Sequence, residues 1–273
     1  MKMTATAPQT GYAPVNGLEL YYEISGSGAP LILLHGGFGA TGMFGGLLPT
    51  LTAARQVIAV DLQGHGRTAD IDRPLRIAAM ADDIAALIAH LGLGTASIMG
   101  YSLGGAVALQ TAIRHPDLID RLIVVSTPYK RTGWYAESLA GMDQMTGAIA
   151  EQMKQTPMYE TYAAIAPRPE DWARMWDKMG DMLRQDFEWS AGVAALTMPT
   201  MIVFGDADSV SPVHAAAFFD LLGGGKRDGG WDRSGMTPHR LAILPETTHY
   251  DIFFSPTLAT VVAPFIAAPS SGN

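Results

Sequence analysis

The sequence predicts an α/β fold in which helices cover both faces of a mostly parallel β-sheet. Short, continuous apolar runs recur along the chain, and such runs are typical of strands that are buried on both faces. Amphipathic helical patterns separate most of these runs. A glycine-flanked serine joins one of the runs directly to the helix that follows it. Together these observations favour alternating strands and helices over an all-helical or all-β chain.

Seven segments have the composition of strands. The segment 18–24 mixes aromatic and polar residues and follows a turn at Asn16-Gly17, so we expect an early, partly exposed strand there. The other six are the apolar runs 31–35, 57–61, 96–100, 121–126, 200–205 and 240–245.

Four segments have the periodicity of helices. The first, 77–92, places its apolar residues on one stripe and ends at Gly92. The second, 103–116, is stopped by Pro116, and the third, 211–224, carries Pro212 in its first turn. The fourth begins at 255 and extends to 268, and Pro264 is expected to kink it or end it early.

The alternation of strands and helices breaks between 128 and 198. This segment contains eight of the 15 methionines and four of the five tryptophans. An apolar insertion between two strands predicts a helical cap, 128–198, over a core domain made of 1–127 and 199–273. The methionine and tryptophan side chains either line a pocket or pack the cap's own small core, and both roles can hold for different residues.

Composition excludes several classes of function. The net charge is −8, from 26 acidic and 18 basic residues, which argues against a nucleic-acid surface. With no cysteine in the chain, disulfides, thiolate zinc sites and a cysteine nucleophile are excluded. The first ten residues lack the apolar run of a secretory signal, and no run of about 18 apolar residues predicts a membrane span. We therefore expect a cytoplasmic protein, and the glycine-rich segment 223–235 predicts a flexible surface loop rather than a phosphate-binding one.

The pattern G-x-S-x-G at 100–104 is the strongest chemical signal. It follows the strand 96–100 and opens the helix that starts at 103. A turn this tight leaves no room for side chains at Gly100 and Gly104, and it holds the hydroxyl of Ser102 clear of the sheet. The N-terminus of the helix adds backbone N–H groups and a partial positive charge. Ser102 is the predicted nucleophile.

A serine hydroxyl needs a base, and the base needs a carboxylate that fixes its tautomer. Among the histidines, His249 lies in a loop between the last strand and the last helix, from which its imidazole can reach Ser102. Asp206 and Asp208 both follow the strand 200–205, and Asp208 is the preferred acid because Asp206 is better placed to shape the turn. The order Ser, Asp, His is the order of α/β-hydrolases.

The glycine-rich segment after the strand 31–35 predicts an oxyanion hole. Flexible glycines at 36, 37 and 39 let a backbone N–H point towards a reacting carbonyl, together with the N–H of Leu103. The segment 61–68 is interpreted as mainly structural. A metal site made by His35, Asp61 and His65 is an alternative that their spacing does not demand.

At this point the sequence resembles the α/β-hydrolase superfamily, in its branch with a serine nucleophile. The resemblance runs from about 15 to 268 and includes LLHGG, DLQGHGRT, GYSLGG, GDADSVSP and TTHYDIF. It implies an eight-stranded, mostly parallel sheet with a helical cap inserted after the sixth strand. It also implies that Ser102, Asp208 and His249 form the triad and that Gly37 and Leu103 donate to the oxyanion. Serine at 102, where related branches use aspartate, disfavours a dehalogenase or an epoxide hydrolase.

We therefore expect a hydrolase that cleaves a carboxylic ester or lactone through an acyl-enzyme, without a cofactor or metal. Its partner is a small molecule with an apolar or aromatic part, and the expected substrate-binding residues are Phe38, Tyr101, Trp134 and Met145. The same triad also serves carbon–carbon bond hydrolysis and cofactor-free haloperoxidase or perhydrolase chemistry. A non-catalytic protein that binds a small molecule in the same pocket is the alternative from another class.

Overall fold

In the computed structural model, which describes residues 7–267, eight strands form one sheet. In chain order the strands are β1 (Gln9–Val15), β2 (Leu18–Gly26), β3 (Pro30–Leu34), β4 (Gln56–Val60), β5 (Ala96–Tyr101), β6 (Ile119–Val125), β7 (Thr200–Ala207) and β8 (Arg240–Thr248). Their spatial order is β1-β2-β4-β3-β5-β6-β7-β8. Only β2 is antiparallel to its neighbours, β1 and β4, and the remaining pairs are parallel. The mostly parallel sheet predicted from the sequence is confirmed.

Helices cover both faces of this sheet. In chain order the helices of the described residues, of which α4 to α8 lie in the segment between β6 and β7, are α1 (Leu48–Leu51), α2 (Ile77–His90), α3 (Leu103–Arg114), α4 (Ala136–Asp143), α5 (Gly147–Met153), α6 (Pro157–Ile165), α7 (Trp172–Leu183), α8 (Ser190–Ala194), α9 (Pro212–Leu221) and α10 (Pro256–Ala267). Apolar side chains of α2, α3 and α9 pack on one face, and those of α1 and α10 pack on the other. Successive residues of a strand point to opposite faces, so β3 sends Ile32 and Leu34 into the first core and Leu31 and Leu33 into the second. This explains why the sequence of β3 is a continuous apolar run.

Two elements differ from the sequence prediction. Strand β1 was not predicted, because its sequence QTGYAPV lacks an apolar run; it forms as an edge strand that pairs with β2 through the turn at Asn16 and Gly17, both at positive φ. Helix α10 does not end early, since it passes through Pro264 to Ala267. Pro264 lies in the last described turn, where burial of Phe265 and Ile266 holds the helix on the sheet. Residues 1–6 and 268–273 of the predicted core domain lie outside the described residues.

A helical insertion, which we define as the residues 128–198, separates β6 from β7 and carries α4 to α8. Its longest helix, α7, is fastened to the loop after β4 by Lys178. The ammonium group of Lys178 donates to Asp70 Oδ2 at 2.6 Å and to the carbonyls of Ile71 and Arg73 at 2.7 and 2.8 Å. Because Lys178 is mostly buried and all three of its donors are used, this contact fixes α7 over the sheet edge.

The carboxyl ends of β3, β5, β6, β7 and β8 meet at one edge of the sheet, and the residues that follow them form the loops of that edge. These loops begin at His35, Ser102, Ser126, Asp208 and His249. The glycine-rich segment 223–235 lies between α9 and the start of β8, at the opposite edge, and contains neither helix nor strand. The predicted site residues that follow these strands therefore lie at the same end of the molecule as the insertion.

Candidate active site

Ser102 occupies a tight turn between β5 and α3. Its backbone lies in the left-handed region, at φ 52° and ψ −115°, which is rare for a residue with a side chain. A Cβ atom on Gly100 would lie 2.0 Å from the carbonyl oxygen of Gly104, and one on Gly104 would lie 2.3 Å from that of Leu34. The two flanking glycines are therefore required by contact between backbones, as the sequence predicts. The turn presents the Ser102 side chain to a cavity.

The side chain of His249 lies between those of Ser102 and Asp208. The His249 Nε2 atom is 3.1 Å from Ser102 Oγ, and its Nδ1 atom is 3.0 Å from Asp208 Oδ1. Asp208 is 5% exposed and His249 is 9% exposed, so this chain of hydrogen bonds is shielded from water. Three residues far apart in the sequence thus form one continuous chain of hydrogen bonds, which we call the relay.

Asp208 accepts further hydrogen bonds, which sequence reasoning did not anticipate. Ser126 Oγ donates to its Oδ2 at 2.5 Å, and the backbone N–H groups of Gly205 and Val210 donate at 3.2 and 3.3 Å. Burial acts to raise the pKa of the Asp208 carboxyl, but the bonds from His249 and Ser126 outweigh it and hold that pKa below its ordinary value. The carboxylate is therefore ionised and fixed in orientation.

Asp206, the alternative acid, does not contact His249. Its carboxylate is exposed and accepts the N–H groups of Glu246 and Thr247 at 3.0 and 3.1 Å. These bonds lower the pKa of Asp206 and join the end of β7 to that of β8. Asp206 thus has a structural role, but it accepts hydrogen bonds from the backbone of β8, whereas the sequence interpretation expects it to bond the backbone of its own turn.

Tyr101 links the serine turn to the histidine loop. Its hydroxyl donates to the backbone carbonyl of His249 at 2.6 Å, and its ring packs against Phe253. Burial raises the pKa of the Tyr101 phenol, so the hydroxyl remains a donor. The indole of Trp134 meets the His249 ring edge-on, with centroids 5.4 Å apart. Tyr101, predicted to bind substrate, therefore lines the cavity but uses its polar atom to hold the histidine loop.

The loop after β3 is built around a buried, neutral histidine. His35 Nε2 accepts the N–H of Leu62 at 3.0 Å, so Nδ1 carries the proton and donates to the Gly36 carbonyl at 2.7 Å. Burial lowers the pKa of His35 to about 4. A Cβ on Gly36 would lie 2.6 Å from the Tyr101 ring, which shows how closely this loop approaches the serine turn. Within residues 7–267, no hydrogen bond uses the N–H of Gly37 or Leu103.

A cavity of about 400 Å³ opens at this point, between the sheet edge and the helical insertion. Its lining contains every predicted site residue except Asp208, which lies behind His249: Gly37, Phe38, Tyr101, Ser102, Leu103, Trp134, Met145 and His249. The insertion adds further methionines, including Met142, Met179 and Met182, and one acidic side chain, Glu137. An adjoining cavity of about 240 Å³ shares Trp134 and Met182 with the first. The lining is thus mostly apolar, with a few convergent polar groups at one end.

A larger cavity, of about 520 Å³, lies at the opposite edge of the sheet. It is lined by Arg121, Arg240 and residues of α10, and it contains none of the predicted site residues. We therefore assign the candidate active site to the smaller cavity, where the hydrogen-bonded relay lies. His35, Asp61 and His65 do not come together as metal ligands, since no described group of three such side chains could hold an ion. Nor does any helix in the described part of the chain have the length and apolarity to cross a membrane.

Two further features of the site escaped the sequence analysis, the hydroxyl of Ser126 and the carboxylate of Glu137. Ser126 directly follows β6 at the same edge as the other site residues, so its position in the chain was an available signal. Glu137 lies in the first turn of α4, within a segment whose sequence gives no indication of which side chains face the cavity.

Comparison with known proteins agrees with this architecture. Residues 29–136 match the family defined by the alpha/beta hydrolase fold. The chain is 35% identical over 198 residues to a pimeloyl-(acyl-carrier protein) methyl ester esterase of Neisseria meningitidis, an alignment that covers 66% of this chain and 75% of that protein. It is 36% identical over 119 residues to an uncharacterized protein of Mycobacterium tuberculosis, where the alignment covers 44% of this chain and 35% of that protein's length.

Solved structures of similar fold include a thermophilic esterase from Thermogutta terrifontis, with a TM-score of 0.71 and 22% identity over 96% of this chain and 98% of that chain. A meta-cleavage product hydrolase gives a TM-score of 0.67 and 21% identity, over 95% of this chain and 98% of that one. The family match and the relative from Neisseria meningitidis define the class: the chain belongs to the α/β-hydrolase superfamily.

Proposed function

We propose that the protein is a serine hydrolase that cleaves a carboxylic ester or lactone through an acyl-enzyme. The observation that carries the proposal is the buried relay from Ser102 Oγ through His249 to Asp208, at 3.1 and 3.0 Å, which opens into an apolar cavity. This is the geometry that a nucleophile, its general base and the orienting acid require.

In the proposed mechanism, His249 takes the proton of Ser102 as its oxygen attacks the substrate carbonyl. The negative charge that develops on the carbonyl oxygen is held by the N–H groups of Gly37 and Leu103. Asp208 fixes the imidazole tautomer and stabilises the imidazolium, which then protonates the leaving alcohol. Water repeats the sequence of steps on the acyl-enzyme and releases the acid, and no step uses a metal or cofactor.

The helical insertion supports the proposed substrate class. As the proposed cap, residues 128–198 cover the cavity with methionines and aromatic side chains, which suit an acyl or alcohol group that is apolar or aromatic. Phe38, Tyr101, Trp134 and Met145 all line this space and remain the proposed substrate contacts. The relative from Neisseria meningitidis is named for its action on a methyl ester, which supports ester cleavage over other uses of the triad.

Labelling by a fluorophosphonate probe tests the proposal, followed by a panel of p-nitrophenyl esters, lactones and dienoate-type diketones on one preparation. We expect labelling and ester or lactone turnover in the wild type, and neither in Ser102→Ala with its melting temperature preserved. Loss of the nucleophile costs on the order of 10⁶ in kcat in a known triad. A loss below about tenfold would refute the assignment of Ser102, and turnover confined to the diketones would favour carbon–carbon bond cleavage.

A further inference from the structure

Ser126, the first residue after β6, has an unusual backbone. Its φ is 52°, in the left-handed region that serine rarely adopts, and the residue is fully buried. Strain of this kind persists only where the surrounding structure imposes it. The N–H of Ser126 is tied to the carbonyl of Val203 on the neighbouring strand β7 at 2.8 Å. This backbone conformation therefore sets the direction of the Cα–Cβ bond of Ser126.

That direction is towards Asp208. Ser126 Oγ lies 2.5 Å from Asp208 Oδ2, while His249 Nδ1 lies 3.0 Å from the other oxygen, Oδ1. The carboxylate is thus held from both sides, with the hydroxyl opposite the imidazole. The two backbone donors of Asp208 are longer, at 3.2 and 3.3 Å, and no described lysine or arginine pairs with it. Apart from the imidazole, Ser126 supplies the one side-chain donor to this carboxylate among the described residues.

We propose that Ser126 is a positioning residue for the reaction, a proposal that rests on the proposed function of the triad. Its hydroxyl aligns the Asp208 carboxylate with the His249 ring and shares the negative charge that Asp208 keeps while the imidazolium exists. The Asp208 side chain is completely shielded from bulk solvent, and the Ser126 hydroxyl supplies a hydrogen bond to it within the protein. A hydrogen bond to a charged group contributes more than one between neutral groups.

Ser126→Ala tests the role. Loss of a hydrogen bond to a buried carboxylate predicts a fall in kcat of roughly 10- to 100-fold. KM for a p-nitrophenyl ester changes little, because Ser126 does not line the cavity. The acid limb of the kcat/KM profile moves to higher pH, because the Asp208 carboxylate loses a hydrogen bond to its ionised form and binds a proton more readily.

Ser97→Ala is the matched control. Ser97 is a buried serine of β5, in the same sheet, whose hydroxyl donates to Asp120 at 3.2 Å and lies outside the site. We expect both variants to lose stability and only Ser126→Ala to lose kcat and shift the pH limb. If Ser126→Ala does not fold, Ser126→Gly replaces it in the test, since glycine adopts a positive φ without strain but supplies no hydroxyl. Full kcat and an unmoved acid limb in the folded Ala or Gly variant would overturn the proposal.

The test is separable from the proposed function. The low-field proton NMR signal of His249 Nδ1–H reports the bond to Asp208 whether or not any substrate is cleaved. We expect Ser126→Ala to move or broaden this signal and Ser97→Ala to leave it in place. An unchanged signal in Ser126→Ala would refute the positioning role, even for an active enzyme. A wild type that neither reacts with fluorophosphonate nor cleaves esters would refute the proposed function. The NMR signal would still show whether Ser126 positions Asp208.

Discussion

Asp206 and Asp208 are two residues apart, yet their carboxylates occupy different environments. Asp208 is buried behind His249 and accepts hydrogen bonds from side-chain and backbone donors. Asp206 is exposed and accepts the N–H groups of Glu246 and Thr247. Ser126, with its positive φ, and the backbone N–H of Gly205 both lie against the Asp208 carboxylate and place it next to the imidazole. Position within the loop, rather than residue type, separates a proposed catalytic acid from a structural one.

Asp208→Asn is therefore expected to lower kcat by about 10⁴, because an amide in place of the carboxylate stabilises the wrong imidazole tautomer. Asp206→Asn, which keeps a hydrogen-bond acceptor at the strand ends, is expected to cost less than about tenfold. Steady-state kinetics of both variants on one p-nitrophenyl ester, with thermal melting as a check on folding, measure the difference. The opposite ranking would move the acid to Asp206.

Glu137 predicts a charge preference for substrates of the cavity. Within the described lining it is the one side chain with a full charge, and it has no basic partner within 4.0 Å. An unpaired carboxylate in the lining of an apolar cavity repels an anionic substrate and attracts a cationic one. We expect the wild type to disfavour an ester with a terminal carboxylate relative to a neutral ester of equal length.

Glu137→Gln should reduce that discrimination by about two- to fivefold in kcat/KM, since the carboxylate is exposed and screened by water. The measurement uses a neutral, an anionic and a cationic ester of matched length at low and high salt. Glu151→Gln, an exposed glutamate of α5 that pairs with Lys154 outside the cavity, is the control. Equal selectivity in the wild type and in Glu137→Gln would show that this carboxylate does not face the bound substrate.

At the scale of elements, the strand ends carry the residues of the proposed triad, and the insertion supplies much of the cavity wall. All residues of the proposed triad and oxyanion hole follow strands, while α4 and α7 contribute methionines to the cavity. Lys178 and Asp70 join the two parts at 2.6 Å. Because Met side chains are flexible, such a wall adapts to different acyl groups without moving the strand ends.

Met145→Ala should therefore shift the preferred acyl chain towards longer esters while the rate of fluorophosphonate labelling stays within about threefold. Each added methylene that finds new apolar space contributes up to about 0.8 kcal/mol, or roughly fourfold in kcat/KM. Met153→Ala is the matched control, since Met153 is a half-buried methionine of the insertion that does not line the cavity. If Met145→Ala keeps the chain-length ranking and loses labelling, the insertion takes part in the chemical step.

At the scale of the whole molecule, buried neutral histidines link stability to pH. Burial lowers the pKa of both His35 and His65 to about 4, below the ordinary 6.5 of the unfolded chain. Between these values the unfolded state binds more protons than the folded state. The contribution of the two neutral histidines to the free energy of unfolding is therefore complete above pH 6.5 and is lost as the pH falls towards 4.

Between pH 7 and pH 5, each of these histidines should cost the fold about 2 kcal/mol in the free energy of unfolding. Urea denaturation at several pH values measures the slope, which His65→Gln should reduce by about one proton. His90→Gln, at an exposed position, should leave the slope unchanged. A His65→Gln slope equal to that of the wild type would mean that His65 is protonated in the folded protein.

The elements whose local pattern is strong were predictable from the sequence. The apolar runs of β3 to β8 follow from burial on both faces, and the stripe of α2 follows from the helical period. The glycines around Ser102 were predictable because only a residue without a side chain fits a backbone contact of 2.0 Å. Even the Asn16-Gly17 turn was visible, although the strand before it was not, because an edge strand needs no apolar run.

Which side chains meet was decided by tertiary structure alone. No local pattern relates Ser126 to Asp208, 82 residues apart, or Tyr101 to the carbonyl of His249, 148 residues apart. Parallel strands gather their carboxyl ends at one edge, so residues distant in the chain become neighbours there. The sequence alone determines the fold class and the candidate nucleophile, base and acid, because each depends on local turn and strand chemistry. The hydroxyl behind Asp208 and the lining of the cavity depend on contacts between elements, and only the assembled sheet and insertion fix these.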